Sequence, residues 1–266
     1  MSLKKGIAFS AMLLLLLAAG CSGGDSGSSG RPTTATPAPS PATGDAASGG
    51  DLMGTASVKG SVQFEGEAPG GKKIRMDADP FCTKQHPDGA TTEEVVVNEN
   101  GTLRNVFVYV KAGLEGRAYP VPTEPVTLDQ NGCRYKPHIQ GMMAGQAIKI
   151  LNSDDTLHNI HAQPANNKAF NIAMPKYLKE RDEAFDTPEV MVPIRCDVHS
   201  WMATYVGVVA HPFYSVSGAD GTFDLSELPA GTYTIEAWHE KYGTQTEEVT
   251  VGDGESQEIS FSFSAS

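Results

Sequence analysis

From Ser57 onward, apolar and polar positions alternate in short runs broken by Gly, Pro, Asn and Asp. That period-two pattern is the signature of half-buried strands. Strands are predicted over 58–64, 94–98 and 103–111, with Asn98-Glu99-Asn100-Gly101 turning between the last two. Further strands are predicted over 126–129, 133–139, 147–152, 157–163 and 190–194, and then over 204–210, 222–225, 231–238, 247–251 and 258–263. One short helix is predicted around 176–185, where charged and helix-favouring residues replace the alternation. Many short strands at this spacing predict an all-β chain made of sandwiches.

The first 55 residues break the pattern. Lys4 and Lys5 precede an apolar run over 7–19 with five consecutive leucines. A positive flank, a short apolar core and small residues predict a secretory signal over 1–20, since a membrane span needs about 20 apolar residues. Residues 21–55 are nearly all Gly, Ser, Pro, Thr, Ala and Asp. Such a segment buries too little apolar surface to offset the cost of ordering it, so a disordered linker is expected. As a flexible coil it would span roughly 30–35 Å. What remains, about 210 residues, suffices for one large β domain or two small ones.

Charge narrows the partners. The chain carries 20 Lys and Arg against 32 Asp and Glu, a net −12, and loss of Lys4 and Lys5 with the signal leaves 18 against 32, or −14. An acidic chain has no evident grip on nucleic acid or anionic headgroups and suits a basic protein partner.

Leu17-Ala18-Ala19-Gly20-Cys21-Ser22 resembles the lipobox of bacterial lipoproteins. The resemblance implies that Cys21 is acylated and that the protein is exported and lipid-anchored to the membrane, facing the periplasm or cell exterior. Several acyl chains on one residue anchor stably where one does not. Three cysteines then remain: Cys82, Cys133 and Cys196. In an oxidising compartment an odd cysteine pairs between chains, stays free or is held by a metal. The simplest arrangement is a Cys82–Cys133 disulfide with Cys196 left for a metal. A structural zinc site of Cys82, His86, Cys133 and His138 is the alternative.

The segment from Pro125 to Pro212 contains Tyr135-Lys136-Pro137, the run from Gly145 to Asn152, an N-x-D leading to His158-Asn159, and a closing loop that starts at Cys196. Together these resemble a cupredoxin, the type 1 blue copper fold, a Greek-key β-sandwich. The C-terminal stretch from Asp220 to Tyr233 resembles the carboxypeptidase regulatory-like, transthyretin-type β-sandwich, and Val58-Lys59-Gly60-Ser61-Val62 fits that module's first strand. The expected order is an N-terminal β region over 56–118, a cupredoxin over 119–212 and the second module over 213–266. The outer two form either one sandwich split around the cupredoxin or separate tandem units.

Cys196, His199 and Met202 follow a Cys-x2-His-x2-Met spacing, most similar to amicyanin-type blue copper proteins with a short ligand loop. Type 1 copper takes two imidazoles, a thiolate and a weak axial thioether. The resemblance implies His158, Cys196 and His199 as equatorial ligands, Met202 as axial ligand, and Asn159 as a brace on the loop. His161, three positions along the strand from His158, points the other way and is not a ligand of that site. Met142, Met143, Met174 and Met191 read as core-filling thioethers, and His239 reads as structural. His86, His138 and His211 have no convincing mutual spacing.

Four protein ligands leave no open position for a small-molecule substrate, so single-electron transfer through one Cu(I)/Cu(II) site is expected rather than catalysis. The family likeness implies that His199 is the ligand nearest solvent and serves as the electron port. Trp201, with Met174-Pro175, would complete a docking face for a basic redox partner such as a c-type cytochrome. The competing readings are a copper carrier or storage protein, and a cell-surface interaction module with ancillary copper.

Overall fold

The computed structural model describes residues 52–265. The predicted signal, Cys21 with its predicted lipid, and nearly all of the 21–55 linker lie outside the described residues. No helix among the described residues is long and apolar enough to cross a membrane.

The described chain is nearly all β. In its first half the elements are β1 (Ala56–Glu65), β2 (Lys73–Ile74), helix α1 (Pro80–Gln85), β3 (Ala90–Thr91), β4 (Phe107–Ala112), β5 (Val126–Gln130), β6 (Tyr135–Lys136), β7 (Ile139–Met143), β8 (Ala147–Asn152) and β9 (His158–Ala162). The second half holds β10 (Phe170–Met174), β11 (Glu180–Ala184), β12 (Glu189–Arg195), β13 (Ala203–Val209), β14 (Tyr214–Val216), β15 (Thr222–Leu228), β16 (Gly231–His239), β17 (Gly243–Val251) and β18 (Ser256–Ser264).

Alternation decides which face of each strand is buried. In β8, Ile148, Ile150 and Asn152 point inward while their neighbours are partly exposed. Two sheets, ordered β10-β9-β12-β13-β7 and β11-β8-β5-β6, share one core. That core contains Leu128, Ile148, Ile150, Ile160, Val192, Ile194 and Val206. Two further sheets, β15-β1-β18 and β14-β4-β16-β17, share a second core that includes Val58, Val62, Val108, Leu225, Ile235 and Phe261. Strand β1 pairs antiparallel with β15 and parallel with β18, while β4 lies between β14 and β16. The second pair of sheets thus draws strands from both ends of the described chain, and strands β5 to β13 form the first pair.

The two sandwiches meet at a smaller aromatic cluster of Phe107, Tyr109, Ile139 and Val209, with Tyr205, Tyr214 and Trp238 packed against it. Gly141 of β7 and Gly207 of β13 are register partners across that contact. A Cβ on Gly141 would collide with the rings of Tyr214 and Phe107, and one on Gly207 with the ring of Phe107. Two facing glycines therefore make the flat seat on which β4 rests.

Four predicted elements differ from what is observed. Residues 94–98 form no strand; an isolated bridge joins Val97 to Leu103, with the Arg104 N–H donating to the Val96 carbonyl and the Asn98 N–H to that of Thr102. The helix predicted over 176–185 is replaced by edge strand β11, whose pairing with β8 sets Lys149 against Glu180 and Asp182. The run 133–139 splits into β6 and β7, which belong to different sheets. The strand predicted from 103 begins only at Phe107. The segment holding β2, α1 and β3 falls in the expected N-terminal β region, yet its Met76 and Cys82 pack into the first sandwich.

Candidate metal centre

Strand β12 ends at Arg195, and β13 begins at Ala203; the seven residues between them form a tight loop. The loop is closed by the Cys196 N–H donating to the Met202 carbonyl at 3.2 Å and the Met202 N–H donating to the His199 carbonyl at 2.9 Å. The His199 N–H turns back onto Cys196 Sγ at 3.4 Å. Pairing of β12 with β9 brings His158, the first residue of β9, to the same end of the sandwich. One ligand atom from each of His158, Cys196 and His199 lies within 4.8 Å of the others. All three residues are buried, as is Met202, which shares the surrounding core.

The two imidazoles face each other through their Nδ1 atoms, 2.9 Å apart, and His199 Nδ1 is 3.9 Å from Cys196 Sγ. Their outer nitrogens are both taken by carboxylates. His158 Nε2 donates to Asp154 Oδ2 and His199 Nε2 to Asp79 Oδ2, each at 2.9 Å. Burial acts to raise the pKa of both aspartates, but the histidine contacts and backbone N–H groups outweigh it and hold them below the usual carboxylate range. Both are therefore ionised acceptors, and both histidines must carry their proton on Nε2. Two Nδ1 lone pairs 2.9 Å apart then require a cation between them, either a proton or a metal ion.

The thiol is tuned to match. Burial alone would raise Cys196, but hydrogen bonds from His158, His199 and the backbone dominate and lower it to about 6. Burial would likewise lower His158, yet its contacts with Asp154 and Cys196 raise it to about 8. A thiolate, two inward-facing imidazole nitrogens and a nearby thioether are the donor types of a type 1 copper site, and these residues fit copper.

Around the donors, Asn159 accepts from the Asp197 N–H at 2.6 Å and donates to its carboxylate at 3.2 Å, tying β9 to the loop. His161 lies outside the donor cluster, 3.0 Å from Asp197 Oδ1 at the surface. Cys82 and Cys133 are joined by a disulfide, which removes both thiolates from the alternative zinc set. His86 instead contacts the Gly132 carbonyl at 2.7 Å, and His138 pairs with Glu240 at 2.7 Å.

The expected docking face needs correcting. His199 is only 2% exposed, because Asp79 and the disulfide cover its outer edge, with Cys82 Sγ 3.7 Å from Nε2. His158, Cys196 and Met202 are covered to the same degree, so none of the four residues opens directly to solvent. Met174 is fully buried and cannot contribute to such a face. Trp201 is half-buried, its ring 5.0 Å from that of His199 and its Nε1–H donating to the Cys133 carbonyl at 3.0 Å.

Sequence reasoning did not find the two carboxylates. Asp154 is the last residue of Asn152-Ser153-Asp154, and Asp79-Pro80 is a helix-start signal, an N-cap followed by a proline. Neither signal says that the side chain reaches a histidine.

A model for the carboxypeptidase regulatory-like domain matches residues 206–264. A search of curated protein sequences finds no match. Among solved structures, the chain is similar to the copper-containing nitrite reductase NirK from Thermus scotoductus SA-01, at 16% identity and a TM-score of 0.29, over 35% of this chain and 25% of that one. It is also similar to a purple cupredoxin from Nitrosopumilus maritimus (19%, 0.27, covering 31% and 98%) and to the Cu(I) form of a mutant amicyanin (15%, 0.30, covering 39% and 98%). The chain thus spans about a quarter of the reductase and nearly all of the two small cupredoxins.

Proposed function

We propose that this protein is a membrane-tethered type 1 copper protein that passes single electrons between redox partners outside the cytoplasm. The observation that carries this reading is the donor set itself: His158 and His199 Nδ1 turned inward beside the Cys196 thiolate, with each Nε2 fixed by a carboxylate, the buried Asp154 and the partly exposed Asp79. When bound there, copper would supply a one-electron Cu(I)/Cu(II) couple. His158, Cys196 and His199 would hold it, with Met202 as the weak fourth ligand. The chain's contribution is rigidity. Strands β9, β12 and β13 fix the ligand-bearing ends, and the Asn159–Asp197 contacts brace the loop, so the ligands need move little between oxidation states.

With His199 covered, Trp201 is the residue through which the site would meet a partner. It sits in a surface pocket with Arg134, His138, Arg195 and Glu240. The partner would be a basic redox protein such as a c-type cytochrome, drawn by the processed chain's net −14 (18 basic against 32 acidic residues). Acylation of Cys21 would hold the assembly at the membrane.

The test is an optical and EPR spectrum of the copper-loaded protein beside Cys196→Ser. An intense thiolate-to-copper band that disappears in the variant is expected. A native protein that takes up no copper, or copper uptake that ignores Cys196, overturns the reading.

A further inference from the structure

The two carboxylates behind the histidines are not independent. Asp79 caps α1, where its Oδ1 accepts from the N–H groups of Phe81 at 2.8 Å and Cys82 at 3.4 Å. Its Oδ2 accepts from Thr156 Oγ1 at 3.0 Å as well as from His199. Asp154 is held by the opposite partner of the disulfide. Its two oxygens accept from Gly132 N–H at 2.8 Å and Cys133 N–H at 2.7 Å. Gly132 and Cys133 sit at the β5–β6 turn with φ of 65° and 53°, an arrangement that aims successive N–H groups at one anion. Each half of the Cys82–Cys133 bridge thus presents its own backbone N–H to the carboxylate that orients one of the two imidazoles.

We propose that Asp79 and Asp154 are positioning residues that hold His199 and His158 with Nδ1 facing inward, and that the Cys82–Cys133 disulfide is a bracket setting both at once. This inference rests on the copper reading for its purpose, though not for its geometry. Three segments distant in sequence, α1, the β5–β6 turn and the loop before β9, must be in register for the two rings to face each other. A covalent link between the first two limits how far that register can drift. The bracket also closes over His199, so a ligand in a short loop is kept from solvent by residues outside the loop.

The test reads ring protons and metal affinity in the full chain. In the metal-free protein near neutral pH, NMR of labelled histidines should show a slowly exchanging Nε2–H on both rings. Asp79→Ala should abolish protection on His199 only, and Asp154→Ala on His158 only. Copper affinity should fall about 10–100-fold in either variant, the usual effect of losing a group that orients a ligand. Asp79→Asn, which keeps the shape and an acceptor oxygen, should recover most of the protection.

Opening the bracket with Cys82→Ser and Cys133→Ser should lower affinity as well. Asp79→Ala should then cost less in that background than in the bridged protein, because residues acting as one unit are not additive. Unchanged protection and affinity in Asp79→Ala, or effects that simply add, would overturn the proposal. Should the double-serine variant fail to fold, the single-aspartate comparison decides alone. A wild-type protein with the expected ring protons but no copper uptake would sink the copper reading and leave the positioning role standing.

Discussion

Cys196 and His158 share one problem, a negative and a positive charge buried side by side, and their pKa values make it testable. Cys196 titrates at about 6, lowered from 9.0, so the thiolate prevails above that pH. His158 titrates at about 8, raised from 6.5, so it keeps both ring protons below that pH. Between these limits the metal-free site holds a thiolate beside an imidazolium. Loading a metal in that window needs no proton from Cys196 but must displace one from His158, so about one proton should leave per site from this pair. The release should diminish as pH rises through about 8 and grow as pH falls through about 6, where the thiol adds its own proton. Calorimetric titration of the metal-free protein in buffers of differing ionisation heat measures this; a release from this pair that is flat across the range contradicts the arrangement. His158, Cys196 and His199, the three side chains that the structure brings together, were legible in the sequence because they fall within two short segments with family-like spacing. Asp79 was not, being 120 residues from His199 and brought to it only by the fold.

Among the elements, β8 could be read from alternation enforced by burial on one face, whereas β9 and β13 are buried along most of their length. Strand β8 matched its predicted limits, and β9 and β13 lay within a residue or so of theirs. The misreading over 176–185 has a physical cause: Lys-Glu-Arg-Asp-Glu favours a helix locally, but pairing with β8 satisfies backbone and charges together on a solvated edge. The seat formed by Gly141 and Gly207 could not be read, since its reason is the rings of Phe107 on β4 and Tyr214 on β14, brought to it only by the fold. It carries its own prediction. Gly207→Ala should displace Phe107 and destabilise the protein by about 1–3 kcal/mol, as overpacking does. A lowered urea midpoint with an unaltered metal-site spectrum is the expected result; an unmoved midpoint would show that the seat is slack.

At the scale of the whole molecule, the two sandwiches depend on the same continuous chain in different ways. Ending the chain at Pro212 removes β14 to β18 and leaves β1 and β4 with no partners. Val58, Val62 and Val108 would then face water. Such a truncated protein should aggregate on size-exclusion chromatography, whereas a monodisperse product would show that the first sandwich carries the remainder unaided. Net charge belongs to this scale as well. Reduction by a basic partner should slow steeply as ionic strength rises, because screening weakens steering. Trp201→Ala should slow it further while leaving the copper spectrum nearly intact; a lost spectrum would place Trp201 among the supports of the site.

The parallel pairing of β1 with β18 sets a schedule for folding. Ser57 and Ser256, which share a side-chain hydrogen bond, are separated by 199 residues. The second sandwich cannot close until its last strand exists, so a growing chain must leave one edge of β1 unpaired until then. Topologies this non-local fold slowly, since distant ends must be brought together before their contacts reward it. Strands β5 to β13 lie wholly within that interval and can assemble first, which makes the metal-bearing sandwich the part of the molecule that finishes early and waits for the rest.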